Sequence, residues 1–303
     1  AIDRTTGLVA AAANFPLWEV DVDLRSAVAE ALQKRVILIE DADAALLAEL
    51  QPGGAAAPPT EGTPPLQHTA FLLVLGGGVG SSLSIDGNIH HGATGLIEAG
   101  HMIVHPQGKE CACGQYGCLE MYASGTAIAK RAEELLMGKG INEELDAKSV
   151  AERARSASDA TAAKIMGEAS AALATAIIAI CRLVDPHVII LAGGVATKLL
   201  LDSIEQQFEA RQWTILKNNM RIVLATHGEN AGVLGAAARA ADAADAMQTA
   251  TFTVRQATPD DRSAALRVCL LTGDEGYDAS DQYVYDPDAL GKRWVAPYLD
   301  LQP

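Results

Sequence analysis

One imidazole and three thiols crowd into residues 101–118 of this chain: His101, Cys111, Cys113 and Cys118. The spacing His-x9-Cys-x-Cys-x4-Cys offers one nitrogen and three sulfur donors, a set suited to closed tetrahedral zinc at roughly 2.0 to 2.3 Å from each ligand. Gly108, Gly114 and Gly117 let the intervening loop turn tightly around an ion. The alternative is three buried, reduced cysteines beside a stray histidine. Clustering speaks for metal, because the chain has five cysteines, an odd number, and three of them fall together rather than spreading into a disulfide framework. With four protein ligands no coordination position stays open, so the metal is expected to be structural.

Carboxylates flank this segment. Glu98 stands three residues before His101, and Glu120 two residues after Cys118. Carboxylates on a rigid loop accept hydrogen bonds from neighbouring hydroxyls, and a metal-bound histidine keeps a second nitrogen free to donate, so the group reads as a clamp for a polyol. Asp41 sits where the apolar run RVILIE ends and a helical pattern begins. Aspartate is among the best helix N-caps, and position alone favours a cap over a catalytic base. The run GGGVG at 76–80 lets backbone approach a phosphate group. No G-x-x-x-x-G-K-[ST] occurs, which excludes a Walker-type site.

Other chemistry-bearing residues read more plainly. Cys181 and Cys269 lie in apolar helical patterns as small core residues, His90 and His91 follow a turn beside the clamp, and His105 competes weakly as a metal ligand.

The elements that hold these residues follow from periodicity. DLRSAVAEALQK and DADAALLAEL carry helical spacing, with RVILIE at 35–40 between them as a strand. Residues 51–68 hold five prolines and three glycines and read as a connector between two lobes. TAFLLVL and SSLSI form a hairpin across the glycine run, and Asp86-Gly87-Asn88 is a tight-turn signal. Ser124 caps a helix to Leu136, an Ala-rich helix spans about 158–184 and stops at Asp185-Pro186, and HVIILA is a parallel-type strand closed by Gly193-Gly194. RIVLAT and a helix at 230–246 repeat that pattern. The expected division is a remnant of a small lobe at 1–50 opening on a strand pair, the connector 51–68, a large lobe at 69–246, and a separate module at 247–303.

Composition sets the outer limits. Apolar residues make up 49% of the 303 and aromatics only 4%, which favours helix-on-sheet packing in a layered α/β protein. With 38 acidic residues against 23 basic the formal charge is −15, so nucleic acid and anionic membranes are poor partners. Neither a signal pattern nor about 18 consecutive apolar residues occurs, and a cytoplasmic location is the expectation.

The motifs E-x-G-H at 98–101, C-x-C-G-x-x-G-C-x-E at 111–120 and YASG at 122–125 together resemble the ROK family of sugar kinases and sugar-responsive repressors. The resemblance continues through ILIEDADAALLAE, VLGGGVG, the GATG turn, ILAGGVA and GENAGVLGAAARA, covering residues 1 to about 245. It implies the two-lobed, actin-like ATPase fold. It also implies that Asp41 is the general base for a sugar 6-hydroxyl attacking the γ-phosphate of ATP, overriding the cap reading. Glu98, His101 and Glu120 would hold sugar hydroxyls; Gly76, Gly78 and Gly80 would lie near the phosphates, Gly193 and Gly194 near adenosine. Mg²⁺ is implied as cofactor beside zinc, and a dimer as the assembly.

The sequence departs from the family pattern in several places. Glu40 stands where the family has Asn, putting one sugar contact in question and an extra negative charge beside Asp41. Gly77 replaces a Thr of the phosphate turn, and Ser82 a smaller residue. The family's opening D-x-G-G-T phosphate hairpin does not occur in these 303 residues, so weak ATP binding and poor turnover are expected of this chain, which reads as N-terminally truncated. The tail FTVRQATPDDRSAALRVCLLTGDEGYDAS resembles the first strand and helix of GNAT acetyltransferases, tilting the expected sugar from glucose towards N-acetylglucosamine. A sugar-sensing repressor and a catalytically dead fragment are the competing readings.

Overall fold

The computed structural model describes residues 8–9, 22–57, 69–93, 97–137, 145–155, 159–210, 220–245, 253–256 and 283–286. The chain divides into two compact units, one comprising 1–49, 91–96 and 229–303, the other 50–90 and 97–228.

The second unit is built on a five-stranded mixed sheet. Strand β1 (Ala70–Leu75) turns at the glycine run into β2 (Val79–Ile85), antiparallel, with Leu75 opposite Val79. Asp86 and Gly87 both have positive φ, the backbone a two-residue hairpin turn requires, and they lead into β3 (Asn88–His90). Strand β4 (Val188–Ala192) lies parallel to β1 on its other side, and β5 (Arg221–Leu224) parallel to β4, so the order is β3-β2-β1-β4-β5. The near-continuous apolar runs of β1 and β4 are what strands buried on both faces require: Leu72, Leu73, Leu75, Ile189 and Ile190 expose nothing.

Between β1–β3 and β4 the described residues form α3 (Glu120–Ala123), α4 (Gly125–Met137), α5 (Ala147–Ala154) and α6 (Ala160–Val184). The expected cap at Ser124 forms, its Oγ accepting from Ala127 N–H at 3.1 Å, and Asp159 caps α6 by accepting from Ala162 N–H at 3.0 Å. Asp185 ends α6 in the left-handed conformation, just before Pro186. Helix α6 is long and apolar enough to cross a membrane, yet Leu173, Ile177 and Ile180 face one core with Phe71, Leu73, Ile189 and Leu191, so it is a buried core helix. Helix α7 (Lys198–Ala210) adds Leu200, Ile204 and Phe208 to that core.

The first unit contains α1 (Leu24–Leu32), capped by Asp23, whose carboxylate accepts from Ser26 N–H at 3.0 Å. It also contains α2 (Asp41–Leu50, to Glu49) and α8 (Ala231–Asp245). RVILIE is a difference from expectation: 35–40 joins no ladder among the described residues. Periodicity predicts how side chains alternate, but a strand also needs a neighbour to bond. The N-terminal strand pair is described only as an antiparallel bridge between Val9 and Val22. Of the connector, 51–57 form turns and 58–68 lie outside the described residues. In the tail, β6 (Thr253–Gln256) pairs antiparallel with β7 (Tyr283–Asp286), and the expected helix between them lies outside the described residues.

Candidate functional site

In the second unit, the metal-type residues converge as their spacing predicted. The donor atoms of His101, Cys111, Cys113 and Cys118 all lie within 4.8 Å of one another. Cys111 Sγ is 3.6 Å from His101 Nδ1, and Cys113 Sγ 3.5 Å from Cys118 Sγ. A zinc tetrahedron with bonds of about 2.3 Å to sulfur and 2.0–2.1 Å to nitrogen has S···N edges near 3.6 Å and S···S edges near 3.8 Å. The four residues therefore fit such an ion, and Nδ1 is the histidine nitrogen facing it. That leaves Nε2 for a different partner.

A short backbone knuckle imposes this convergence. Val104 N–H and His105 N–H both donate to Gly117 O, Gly117 N–H to Lys109 O, and Cys111 N–H to Gln115 O at 2.8 Å. Gly117 has φ +78, and a Cβ there would collide with the His105 carbonyl, so no other residue closes the turn. Tyr122 braces the knuckle from α3: its hydroxyl accepts from Lys109 N–H at 3.1 Å and its ring stacks on His105 at 6.0 Å. His105 is thereby occupied as a packing partner and stands outside the donor cluster. By themselves the thiols resist ionising together. Burial, helped by the neighbouring cysteines, pushes Cys118 up to about 12, whereas a backbone hydrogen bond from Gln115 lowers Cys113. A bound cation reverses that penalty, since thiolate is the ligating form.

The glycine turns share one edge of the sheet. Strands β1 and β4 are parallel neighbours with Val74 opposite Ala192, so Gly76–Gly78 and Gly193–Gly194 leave the carboxyl ends of adjacent strands. Carboxyl ends of parallel strands are where ligands bind in open α/β sheets. Gly78, Gly193 and Gly194 are exposed, and a Cβ on Gly194 would meet open space. Packing explains part of the glycine content: Gly76 O accepts from Gly125 N–H at 2.7 Å, and a Cβ on Gly193 would collide with the Leu75 carbonyl. Gly80 lies within β2 opposite Val74.

Glu120 links turn and knuckle. Its Oε2 accepts from Val79 N–H at 2.9 Å and would stand 2.6 Å from a Cβ on Gly78. One carboxylate oxygen is thus committed to the hairpin. Glu98 is exposed at the start of the 3-10 turn Ala99–His101. That turn is fastened by Ser81, which donates to Ile97 O at 2.5 Å and accepts from Ala99 N–H at 2.8 Å. Sequence reading missed Ser81 and Tyr122: a serine in a strand and a tyrosine after a motif carry no signal until their partners are known.

In the first unit, Glu40 and Asp41 stand at the start of α2. Ala44 N–H donates to Glu40 O at 2.9 Å, which makes Glu40 the cap position, while the Asp41 carboxylate accepts from Ala42 N–H at 2.7 Å. Burial raises the Asp41 pKa above its ordinary 3.8, opposed by that hydrogen bond and reinforced by the Glu40 charge. Asp41 is therefore the first residue of the helix and not its cap. Asp43, two residues on, is buried, with Oδ2 3.1 Å from His91 Nδ1.

Comparison with known proteins adds kinship to this geometry. Residues 1–243 match the ROK family. A glucokinase from Halalkalibacterium halodurans is 34% identical over 247 residues, covering 77% of this chain and 71% of that protein. An N-acetylmannosamine kinase from Vibrio cholerae is 32% identical over 183 residues, 60% of this chain and 57% of that protein. Among solved structures, a ROK family glucokinase from Streptomyces griseus in complex with glucose and AMPPNP superposes with a TM-score of 0.60 at 28% identity, over 72% of each chain. A ROK family transcriptional regulator, a homologue of the E. coli MLC protein, superposes at 0.64 and 26% identity over 78% of this chain and 59% of that one.

Proposed function

This chain belongs to the ROK family, and we propose that it is a sugar kinase that transfers the γ-phosphoryl group of ATP to the 6-hydroxyl of glucose or an N-acetylhexosamine. The observation that carries the reading is Asp41: a partly buried carboxyl at the first turn of a helix, with its proton affinity raised, suits removal of a hydroxyl proton. Asp41 takes the proton from the 6-hydroxyl as that oxygen attacks phosphorus, and the other residues orient the two reactants. Glu98, Glu120 and His101, through Nε2, hold sugar hydroxyls, and Glu40 adds a carboxylate beside the base. Gly76, Gly78 and Gly80, at the hairpin between β1 and β2, lie against phosphates, and Gly193 and Gly194 against the nucleoside. ATP with Mg²⁺ supplies the phosphoryl group and neutralises its charge. Zinc on His101, Cys111, Cys113 and Cys118 is structural and fixes the His101 ring.

The kinship with a regulator does not displace this reading. A net charge of −15 opposes binding to the phosphate backbone of nucleic acid. We further propose a cytoplasmic homodimer.

A coupled ADP-release assay with glucose, N-acetylglucosamine and N-acetylmannosamine tests the proposal and ranks the sugars. Saturable turnover that vanishes in Asp41→Asn, with zinc content unchanged, is the expected outcome; full turnover in that variant overturns the role of the base.

A further inference from the structure

Two carboxyls occupy the first turn of α2, and the proposed reaction uses one. Asp41 and Asp43 are two positions apart, so their side chains leave the helix about 200° apart and cannot share a task. Asp43 is 6% exposed, and a buried carboxylate needs a compensating donor. His91 supplies one, with Nδ1 3.1 Å from Oδ2.

His91 follows β3 directly and opens the segment 91–96, which belongs to the unit containing α2, although the strands before it and the turn after it belong to the other unit. The chain is therefore fastened to α2 at His91. A second restraint acts beside this one: Gly235 of α8 lies so close to the Ala44 carbonyl that a Cβ would collide with it. The turn that carries the proposed base is thus held at two consecutive residues, Asp43 by a side chain and Ala44 by backbone packing.

We propose that Asp43 and His91 form a clasp that orients the first turn of α2 and with it the Asp41 carboxyl, which makes Asp43 a positioning residue for the base and not a second base. The inference rests on the kinase reading above.

Five variants test it: Asp43→Ala, Asp43→Asn, His91→Ala, His91→Asn and the double alanine. Each is assayed for kcat and sugar KM by ADP release, and for amide hydrogen exchange across residues 41–50. The alanine variants should lower kcat about tenfold or more, as small misplacements of reacting groups do, leave sugar KM within twofold and speed exchange in α2. Asparagine at 91, whose Nδ2 reaches the position of Nδ1, should recover most of the rate, and the double variant should be no worse than the poorer single one. Loss of thermal stability with kcat unchanged would reduce the pair to a structural tie. An Asp43→Asn enzyme as dead as Asp41→Asn would mean a direct proton role, and additive losses in the double variant would mean two separate functions; any of these overturns the clasp. If the wild-type chain turns over no sugar, the kinase reading fails while exchange still decides the clasp, unchanged rates in both alanine variants counting against it. Should Asp43→Ala not fold, the two His91 variants carry the test, because that side chain is partly exposed.

Discussion

The knuckle at 98–120 and the helix start at 40–44 solve opposite problems. The knuckle gathers four donors within a few ångströms through local turns, backbone hydrogen bonds and a glycine that no other residue replaces. At the helix start partial burial raises the proton affinity of one carboxyl, Asp41, and elements distant in sequence, His91 and Gly235, hold its neighbours Asp43 and Ala44. A metal site can be nearly self-contained, whereas a base with an altered pKa depends on what the rest of the unit packs around it.

That contrast breaks most sharply at Asp41. Asp41→Asn should lower turnover by roughly 10²–10⁴-fold, the range typical of a positioned acid–base group, while metal analysis finds zinc unchanged. The raised pKa fixes the sign of the stability effect. The folded state holds this proton more tightly than the unfolded chain, so the contribution of Asp41 to stability is fully present below about 3.8 and is lost as pH rises through its folded pKa. Asp41→Asn should therefore melt higher than wild type near pH 7 and show a shallower decline in Tm across that window. In the wild type, kcat/KM should fall on the acid side as Asp41 takes up its proton.

Removing a donor from the knuckle is the next largest effect. Cys118→Ser, or a strong chelator, should drop zinc to well below one per chain and weaken sugar binding in calorimetry, because the His101 ring loses its anchor. The environment of Asp41 should stay as it was.

Paired glycine substitutions sharpen the comparison. Gly117→Ala forces a Cβ onto the His105 carbonyl at a positive φ, and Gly235→Ala forces one onto the Ala44 carbonyl. Each should cost about 1–3 kcal/mol in chemical denaturation. The first should reduce zinc retention and spare kcat in zinc-saturated protein; the second should reduce kcat and spare zinc. Equal losses of both properties in both variants would erase the distinction.

Ser81→Ala should act least. It removes one hydroxyl that donates to Ile97 and accepts from Ala99, a loss of about 1 kcal/mol each. The visible result should be a modest rise in sugar KM as the turn before His101 loosens.

Much of this molecule was legible from one dimension. The donor set at 101–118, the hairpin at Asp86-Gly87, the cap at Ser124 and the long α6 all depend on interactions within a few residues, so spacing alone predicts them. RVILIE shows the limit: its composition suits a strand, yet no ladder forms there among the described residues, because pairing depends on a second segment. The tertiary structure alone decided which histidine nitrogen faces the thiols, that one oxygen of Glu120 is held by Val79, and that Asp41 begins its helix while Glu40 caps it. It alone decided the partner of His91 as well. The reason is the range of the forces. Turn chemistry and metal-ligand spacing are local, whereas burial, the pKa it shifts and the partner of a buried carboxylate are set by residues that only folding brings near.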